Sequence, residues 1–312
     1  SPKRPLSDAL PPRRSRGAFY ILKDFLFHIR HVSNIKYRTF MIVDGKKIAQ
    51  DIQNKLKSII KDAGKKIRLD VFVVGSDYAT EKFIALKRKI AQSVGVTVTV
   101  HHFDTEITTE DLKKKVSESA ENDSVQGIII QLALPAHINT RTILDTVPLY
   151  KDVDVLGSES ILKFEKNELD ILPPVVGAMK EILGREDIAI SGKEVVVVGK
   201  GSLVGAPSAI WFKNMGAHVN VVDRSTENFH KIVQTADIIV SGAGVPGLIK
   251  KEMLKDGVVL LDAGTSESSG KLSGDADPNC EEVCSVFTPV PGGIGPITIA
   301  ILLRNLVTRA LK

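Results

Sequence analysis

The stretch GKEVVVVGKGSLVGAPSAIWFKNMGAHVNVVDRS, residues 192–225, leaves the chain little choice of fold. Four consecutive valines carry no alternation between a wet and a dry face. Residues 194–198 therefore read as a strand buried on both sides, as strands of parallel sheets are. A glycine-rich turn, a helix near 203–214 and a second strand at 218–222 follow in order. A strand, a helix and a strand in succession form a parallel unit. ADIIVSGAG (236–244) and GVVLLDAG (257–264) supply two more strands.

An earlier unit has the same alternation. IRLDVFVVG (67–75) reads as a buried strand, EKFIALKRKIAQSVG (81–95) as a helix closed by Gly95, and VTVTVHHF (96–103) as a strand. TTEDLKKKVSESAEN (108–122) reads as a helix capped by Thr108 or Thr109, with acids in its first turn, and VQGIIIQLALP (125–135) as a buried strand. The chain thus predicts two α/β units, 41–180 and 181–296. A final apolar helix, 297–312, has to bury its face and is expected to return to the first unit.

The 312 residues are 43% hydrophobic and 25% charged, enough for two cores. No apolar run is long enough to predict a membrane span. Net charge is +5, yet residues 1–40 hold nine Lys or Arg against two acids, so the remaining body is slightly acidic. That argues against a nucleic-acid binder. The basic, proline-containing head reads as a disordered upstream extension. An organellar import segment is the alternative, and a cytoplasmic location is the expectation. Cys280 and Cys284 form no disulfide framework and lack partner ligands for zinc, so no metal is expected.

Gly199, Gly201 and Gly205 follow the valine strand and open a helix in the spacing G-x-G-x3-G. This is a variant of the dinucleotide fingerprint. A tight turn brings backbone close to a pyrophosphate that faces a helix N-terminus. A turn without a ligand is the plainer alternative. Asp223 ends the next strand, where an acid accepts the ribose 2′-hydroxyl of NAD, and Arg224 beside it suits the 2′-phosphate of NADP. The two residues point opposite ways, and both also read as solvated loop charges.

Near the end, TPVPGGIGPIT (288–298) combines proline, which fixes the path, with glycine, which lets backbone approach a ligand. With KFIALKRK (82–89), QLALP (131–135), KDVD (151–154) and GKEVVVVGKGSLVGAP (192–207), it resembles the bifunctional methylenetetrahydrofolate dehydrogenase/methenyltetrahydrofolate cyclohydrolase family. The five motifs share the family's order and spacing.

The resemblance implies two α/β domains with a cleft between them, the second a Rossmann-type nucleotide domain, and a homodimer through that domain. It implies oxidation of 5,10-methylenetetrahydrofolate and hydrolysis to 10-formyltetrahydrofolate, in one-carbon folate metabolism. Lys87, Gln131 and Asp154 are then catalytic. Phe83, Ile130, Leu132, Pro291, Gly292, Gly293 and Pro296 contact folate. Gly199, Lys200, Gly201, Gly205, Asp223, Arg224 and Thr265 hold the cofactor, expected to be NADP, with NAD admitted by Asp223. Lys87 shares a helix face with Phe83 one turn away, and burial beside a cationic substrate would lower its pKa.

The sequence departs from the family at several places. Phe83 replaces Tyr, Lys200 and Gly201 replace Arg-Ser, and Asp223 and Arg224 replace His-Ser. ILPPVVG (171–177) replaces a Pro-Cys-Thr-Pro loop, and Gly does not directly follow Asp154. A dehydrogenase with weak or lost cyclohydrolase activity is therefore one alternative. A catalytically silent folate- or nucleotide-binding paralogue is another, against which the retained Lys87, Gln131, Asp154 and Pro-Gly loop speak.

Overall fold

The computed structural model describes residues 40–75, 78–268 and 271–312. The basic head, with its reading as an extension or import segment, lies outside the described residues.

Strand β1 (Met41–Ile42) leads into helix α1 (Gly45–Ala63). The Asp44 side chain accepts the Lys47 N–H and caps the start, while Gly64, at φ 63°, closes the end. Ile48, Ile52, Leu56 and Ile60 recur at helical spacing and are all buried. Next come β2 (Ile67–Val74), α2 (Tyr78–Ser93), β3 (Val96–Phe103), α3 (Thr109–Ala120) and β4 (Gly127–Ile130). Thr108 is the cap of α3, its hydroxyl accepting the Asp111 N–H at 3.1 Å. These strands form a parallel sheet in the order β3-β2-β4. Strand β4 is shorter than the apolar run suggests, though the Gln131 N–H still donates to the Phe72 carbonyl at 2.9 Å.

Three helices follow that the sequence patterns above do not single out: α4 (Thr140–Thr146), α5 (Ser158–Glu165) and α6 (Pro174–Arg185). The chain then alternates β5 (Glu194–Val198), α7 (Gly205–Asn214), β6 (His218–Val222), α8 (Phe229–Thr235), β7 (Ile238–Ser241) and β8 (Val259–Asp262). A short hairpin, β9 (Ser266–Ser268) and β10 (Lys271–Ser273), precedes β11 (Val286–Phe287) and α9 (Ile294–Ala310).

The second sheet has six parallel strands in the order β1-β11-β8-β7-β5-β6. Strand β1 therefore joins the later sheet, although its sequence position placed it with the earlier unit. Val195, Val196, Val197 and Val198 are fully buried, as the unbroken valine run requires.

Helix α9 binds the two layers together. It packs on α1 and α6 and reaches β2 and β4. Ile297, Ile301, Leu303 and Leu306 belong to one apolar core with Leu69 and Val71 of the first sheet and Val195 and Val197 of the second. Asn305 is the polar exception. Buried, it donates both amide hydrogens, to the Val153 carbonyl at 2.9 Å and the Leu172 carbonyl at 2.8 Å. Helix α9 begins at Ile294, so the Pro-Gly loop ends sooner than expected and Pro296 sits in the first helical turn. A proline is tolerated there because it removes no intrahelical hydrogen bond. Among the described residues, no helix is long and apolar enough to cross a membrane.

Candidate active site

Helix α2 turns Ile84 and Ala91 into the core and leaves Phe83 and Lys87 at its edge. Phe83 is 44% exposed. The Lys87 Nζ lies 4.6 Å from the Phe83 ring centroid and donates to Gln131 Oε1 at 3.2 Å. Gln131 is held in turn, its Nε2 donating to the Leu132 carbonyl at 3.0 Å. Beneath the lysine stem lies an enclosed apolar gap of about 10 Å³, at the lower limit for one water. It is lined by Leu69, Val71, Ile84 and Val98, with Ile299, Leu302 and Leu303 of α9. Burial in this setting depresses the Lys87 pKa, and the Asp154 carboxylate opposes that shift.

Asp154 carries the reciprocal perturbation. Burial raises its pKa to about 6, Lys87 pulls it back, and Asp152 pushes it higher. The backbone that follows is fixed by Asp152, whose carboxylate accepts N–H groups from Val155, Leu156 and Gly157 at 2.8 to 3.0 Å. A lysine made less basic beside a carboxylate made less acidic is the environment in which protons move near neutral pH.

Of the expected substrate contacts, Ile130 differs. Its side chain is 4% exposed and packs with Phe72 and Leu112, so it belongs to the core. Leu132 is half-buried. Pro291 is exposed, while Gly293 is buried and donates its N–H to the Pro289 carbonyl at 2.7 Å. The Pro-Gly loop and Lys87 share a support, because α9 starts from the loop and also floors the lysine.

A second cluster lies at the carboxyl edge of the six-stranded sheet. Gly199 has φ 104°, and a Cβ there would fall 2.7 Å from the Gly242 carbonyl oxygen, so only glycine fits. Gly205 meets the same turn, its Cβ position 2.1 Å from the Gly199 oxygen. Gly201 differs, since a Cβ there would stand in open space. No side chain caps the N-terminus of α7; the Ala206 N–H is taken by the Gly201 carbonyl at 3.0 Å and Pro207 has none, so backbone alone closes this helix start. A cradle with close backbone, a helix start without a side-chain cap and room above it fits a pyrophosphate.

Lys200 and Asp223 form an ion pair at 2.7 Å. The other Asp223 oxygen accepts the Ser225 N–H at 3.0 Å and the Ser225 hydroxyl at 2.6 Å. These partners, Lys200 first, hold the Asp223 carboxyl far below the usual carboxylate range. Arg224 is exposed, as is Thr265, whose carbonyl lies opposite Gly244. Cys280 and Cys284 are buried, and burial pushes both thiols up to about 12. Among the described residues, no group of three or more His, Cys, Asp or Glu is arranged to hold a metal ion.

Sequence reasoning missed the buried acids Asp70, Asp262 and Asp275 and the amide of Asn305. Most of their partners are remote in sequence, and the near ones, Arg68 for Asp70 and Gly264 for Asp262, form no recognisable motif.

Residues 43–154 match the family model described as tetrahydrofolate dehydrogenase/cyclohydrolase, catalytic domain. Residues 173–312 match the NAD(P)-binding domain of the same family. The bifunctional protein FolD of Staphylococcus haemolyticus is 35% identical over 269 residues, covering 85% of this chain and 94% of that protein. The crystal structure of the bifunctional FolD dehydrogenase/cyclohydrolase from Campylobacter jejuni superposes with a TM-score of 0.83 at 33% identity, covering 86% of this chain and 98% of the other. The Trypanosoma brucei FolD, solved with NADP and an inhibitor, gives 0.82 at 31% identity, covering 86% and 97%. The glycine turn, the Pro-Gly loop and the Lys87 cluster all fall within the matched regions, and the chain belongs to the tetrahydrofolate dehydrogenase/cyclohydrolase family.

Proposed function

We propose that this protein oxidises 5,10-methylenetetrahydrofolate with a nicotinamide dinucleotide and hydrolyses the 5,10-methenyl product to 10-formyltetrahydrofolate. The observation that carries the reading is the desolvated Lys87 ammonium hydrogen-bonded to Gln131. When bound, oxidised nicotinamide takes the hydride that leaves the one-carbon unit. The substrate nitrogens stabilise the resulting cation, so the protein's part in this step is placement.

Hydrolysis asks more of the chain. Water adds to the methenyl carbon and gives a proton to Lys87, whose hold on its own proton burial weakens, with Gln131 fixing the direction of the nitrogen. The bond from that carbon to N5 then opens as the added hydroxyl loses its proton to become the formyl oxygen and N5 gains one, so that one proton is released overall. Asp154 pairs with the amino-pyrimidine edge of the pterin, Phe83 and Leu132 flank it, and Pro291, Gly292, Gly293 and Pro296 border it. Purified protein given substrate and nucleotide should reduce the nucleotide and yield 10-formyltetrahydrofolate. Lys87→Met should abolish ring opening while folate still binds, and ring opening at the wild-type rate in that variant refutes the assignment.

Phe83 supports a second reading, a dehydrogenase with weakened cyclohydrolase activity. Its ring faces the Lys87 ammonium but carries no hydroxyl to orient it or a water, and accumulation of the methenyl intermediate would mark this case.

The glycine turn, with Thr265 across from it, takes the dinucleotide. NADP is the family expectation, but the local charges favour NAD. An acid ending the second strand, as Asp223 does, suits the ribose hydroxyls of NAD, and the Lys200 ion pair with Asp223 draws that cation away from a 2′-phosphate. Initial rates with each nucleotide decide, and Asp223→Ser should shift preference toward NADP. We also propose a homodimer through the second domain in a cytoplasmic setting. The outer edge strand β6, with Val221 36% exposed, supports the dimer, which light scattering tests.

A further inference from the structure

The six-stranded sheet reverses the direction of its connections at β5, with β6 on one side and β7 on the other. Open parallel sheets take ligands in the crevice beyond the strand ends at such a point. Two acids absent from the chemistry above lie beside this crevice: Asp262 ends β8, and Asp275, in the segment after β10, bonds Ser241 at the end of β7. Asp275 is 0% exposed and Asp262 is 1% exposed.

Asp275 gathers the segment leaving β7. Its carboxylate accepts the Ser241 hydroxyl and the Ala243 and Val245 N–H groups, each at 2.7 Å. Asp262 gathers the segments around β8 and β11. Its carboxylate accepts the Gly264 and Ala276 N–H groups, each at 2.9 Å, and its own N–H donates to Thr288 Oγ1 at 2.7 Å. Each acid sits on a glycine beside the other. A Cβ on Gly264 would fall 2.1 Å from the Asp275 carboxyl carbon, and one on Gly274 would fall 2.1 Å from Asp262 Oδ2.

The loop that Asp275 holds is the one that meets the fingerprint turn, through the Gly242 carbonyl under Gly199. Thr288, which accepts the Asp262 backbone N–H, precedes the Pro-Gly loop and touches the space a Cβ on Gly293 would need. Two neighbouring buried carboxylates are costly to keep together, and burial with Asp275 alongside drives Asp262 up to about 6. Carboxylates supply several acceptors and, when ionised, no donor, which suits the converging N–H and O–H groups.

We propose that Asp262 and Asp275 are a positioning pair for the nucleotide: Asp275 sets the crevice floor against Gly199, and Asp262 fastens the segment that carries Asp275 to the end of β8 through the Gly264 and Ala276 N–H groups. The inference rests on the proposed dehydrogenase reading.

The test uses the full chain and two separable reactions. Asp275→Ala and Asp275→Asn are compared with wild type in hydride transfer at varied nucleotide, in hydrolysis of supplied methenyltetrahydrofolate without nucleotide, and in calorimetric titration with NADH. The expected result for Asp275→Ala is at least a tenfold rise in nucleotide KM and Kd, with hydrolysis within twofold of wild type. Asn should recover part of the loss, because it keeps an acceptor oxygen. A Kd within twofold of wild type overturns the proposal, as does an equal fall in both reactions. If the Ala variant does not fold, Asp275→Asn and Ser241→Ala are read by the same criteria. A wild-type protein that binds NADH without turnover sinks the dehydrogenase reading alone, and the pair is then judged by Kd. A wild-type protein that binds neither NADH nor NADPH sinks both.

Discussion

Gly45 donates its N–H to the Gly292 carbonyl at 2.9 Å, and a Cβ on Gly45 would lie 1.8 Å from the Gly293 oxygen. The first turn of α1 and the Pro-Gly loop are thus in backbone contact, though they stand at opposite ends of the described chain. Gly45→Ala should force the loop away. The expected cost is about 1–3 kcal/mol from overpacking, with weaker folate binding. Denaturant unfolding and substrate titration check it, and a variant as stable as wild type that binds folate equally well would show that the loop yields freely.

Phe83 offers a gain-of-function prediction. Restoring a hydroxyl with Phe83→Tyr, beside an amine 4.6 Å from the ring centre, should raise hydrolysis severalfold while leaving hydride transfer within about twofold. The ratio of the two rates in one preparation is the measurement. An unchanged ratio would mean that the ring and not the hydroxyl matters.

Asp154 should act on stability and activity in opposite directions. Its pKa is about 6 in the folded protein against 3.8 for the free group. The folded state therefore holds the proton more tightly, and stability falls as pH rises from about 4 to about 6. Asp154→Asn should stabilise the protein at pH 7.5 by about 1–3 kcal/mol, a gain that vanishes below pH 4. Catalytic efficiency should fall by roughly 10–100-fold through loss of a charged hydrogen-bonding group. Urea titrations at the two pH values, beside steady-state rates, test both halves.

Asp70 should behave oppositely with pH. It is 1% exposed and bonded by Arg68 at 2.8 Å, Ser119 at 2.8 Å and His101 at 3.0 Å. Burial alone would raise its pKa, but these partners outweigh burial and hold it low. Its stabilising contribution is present above the unfolded value near 4 and is lost as pH falls through the folded one. Asp70→Ala should cost about 2–4 kcal/mol at pH 7, because the donors around it lose their acceptor. Stability of wild type and variant should converge at low pH, which acid-range unfolding curves measure.

The residues themselves carried the parallel strands, the glycine turn and the helix face shared by Phe83 and Lys87. Each of these is local. A run of valines has one compatible burial, Gly199 marks a turn that its neighbours frame, and residues four apart on a helix lie together. Helix α1 was not read from the sequence, although Ile48, Ile52, Leu56 and Ile60 lie between Asp44 and Gly64 at helical spacing. The head-to-tail contact of Gly45 with the Pro-Gly loop, the entry of β1 into the later sheet and the support of Lys87 by α9 came only with the tertiary fold. So did the burial of Ile130, the freedom of Gly201 and the partners of Asp70, Asp262, Asp275 and Asn305. Periodicity reports which face of an element is apolar, but not which distant segment will cover it. A buried carboxylate or amide is placed by donors and acceptors that meet only once the chain has closed on itself.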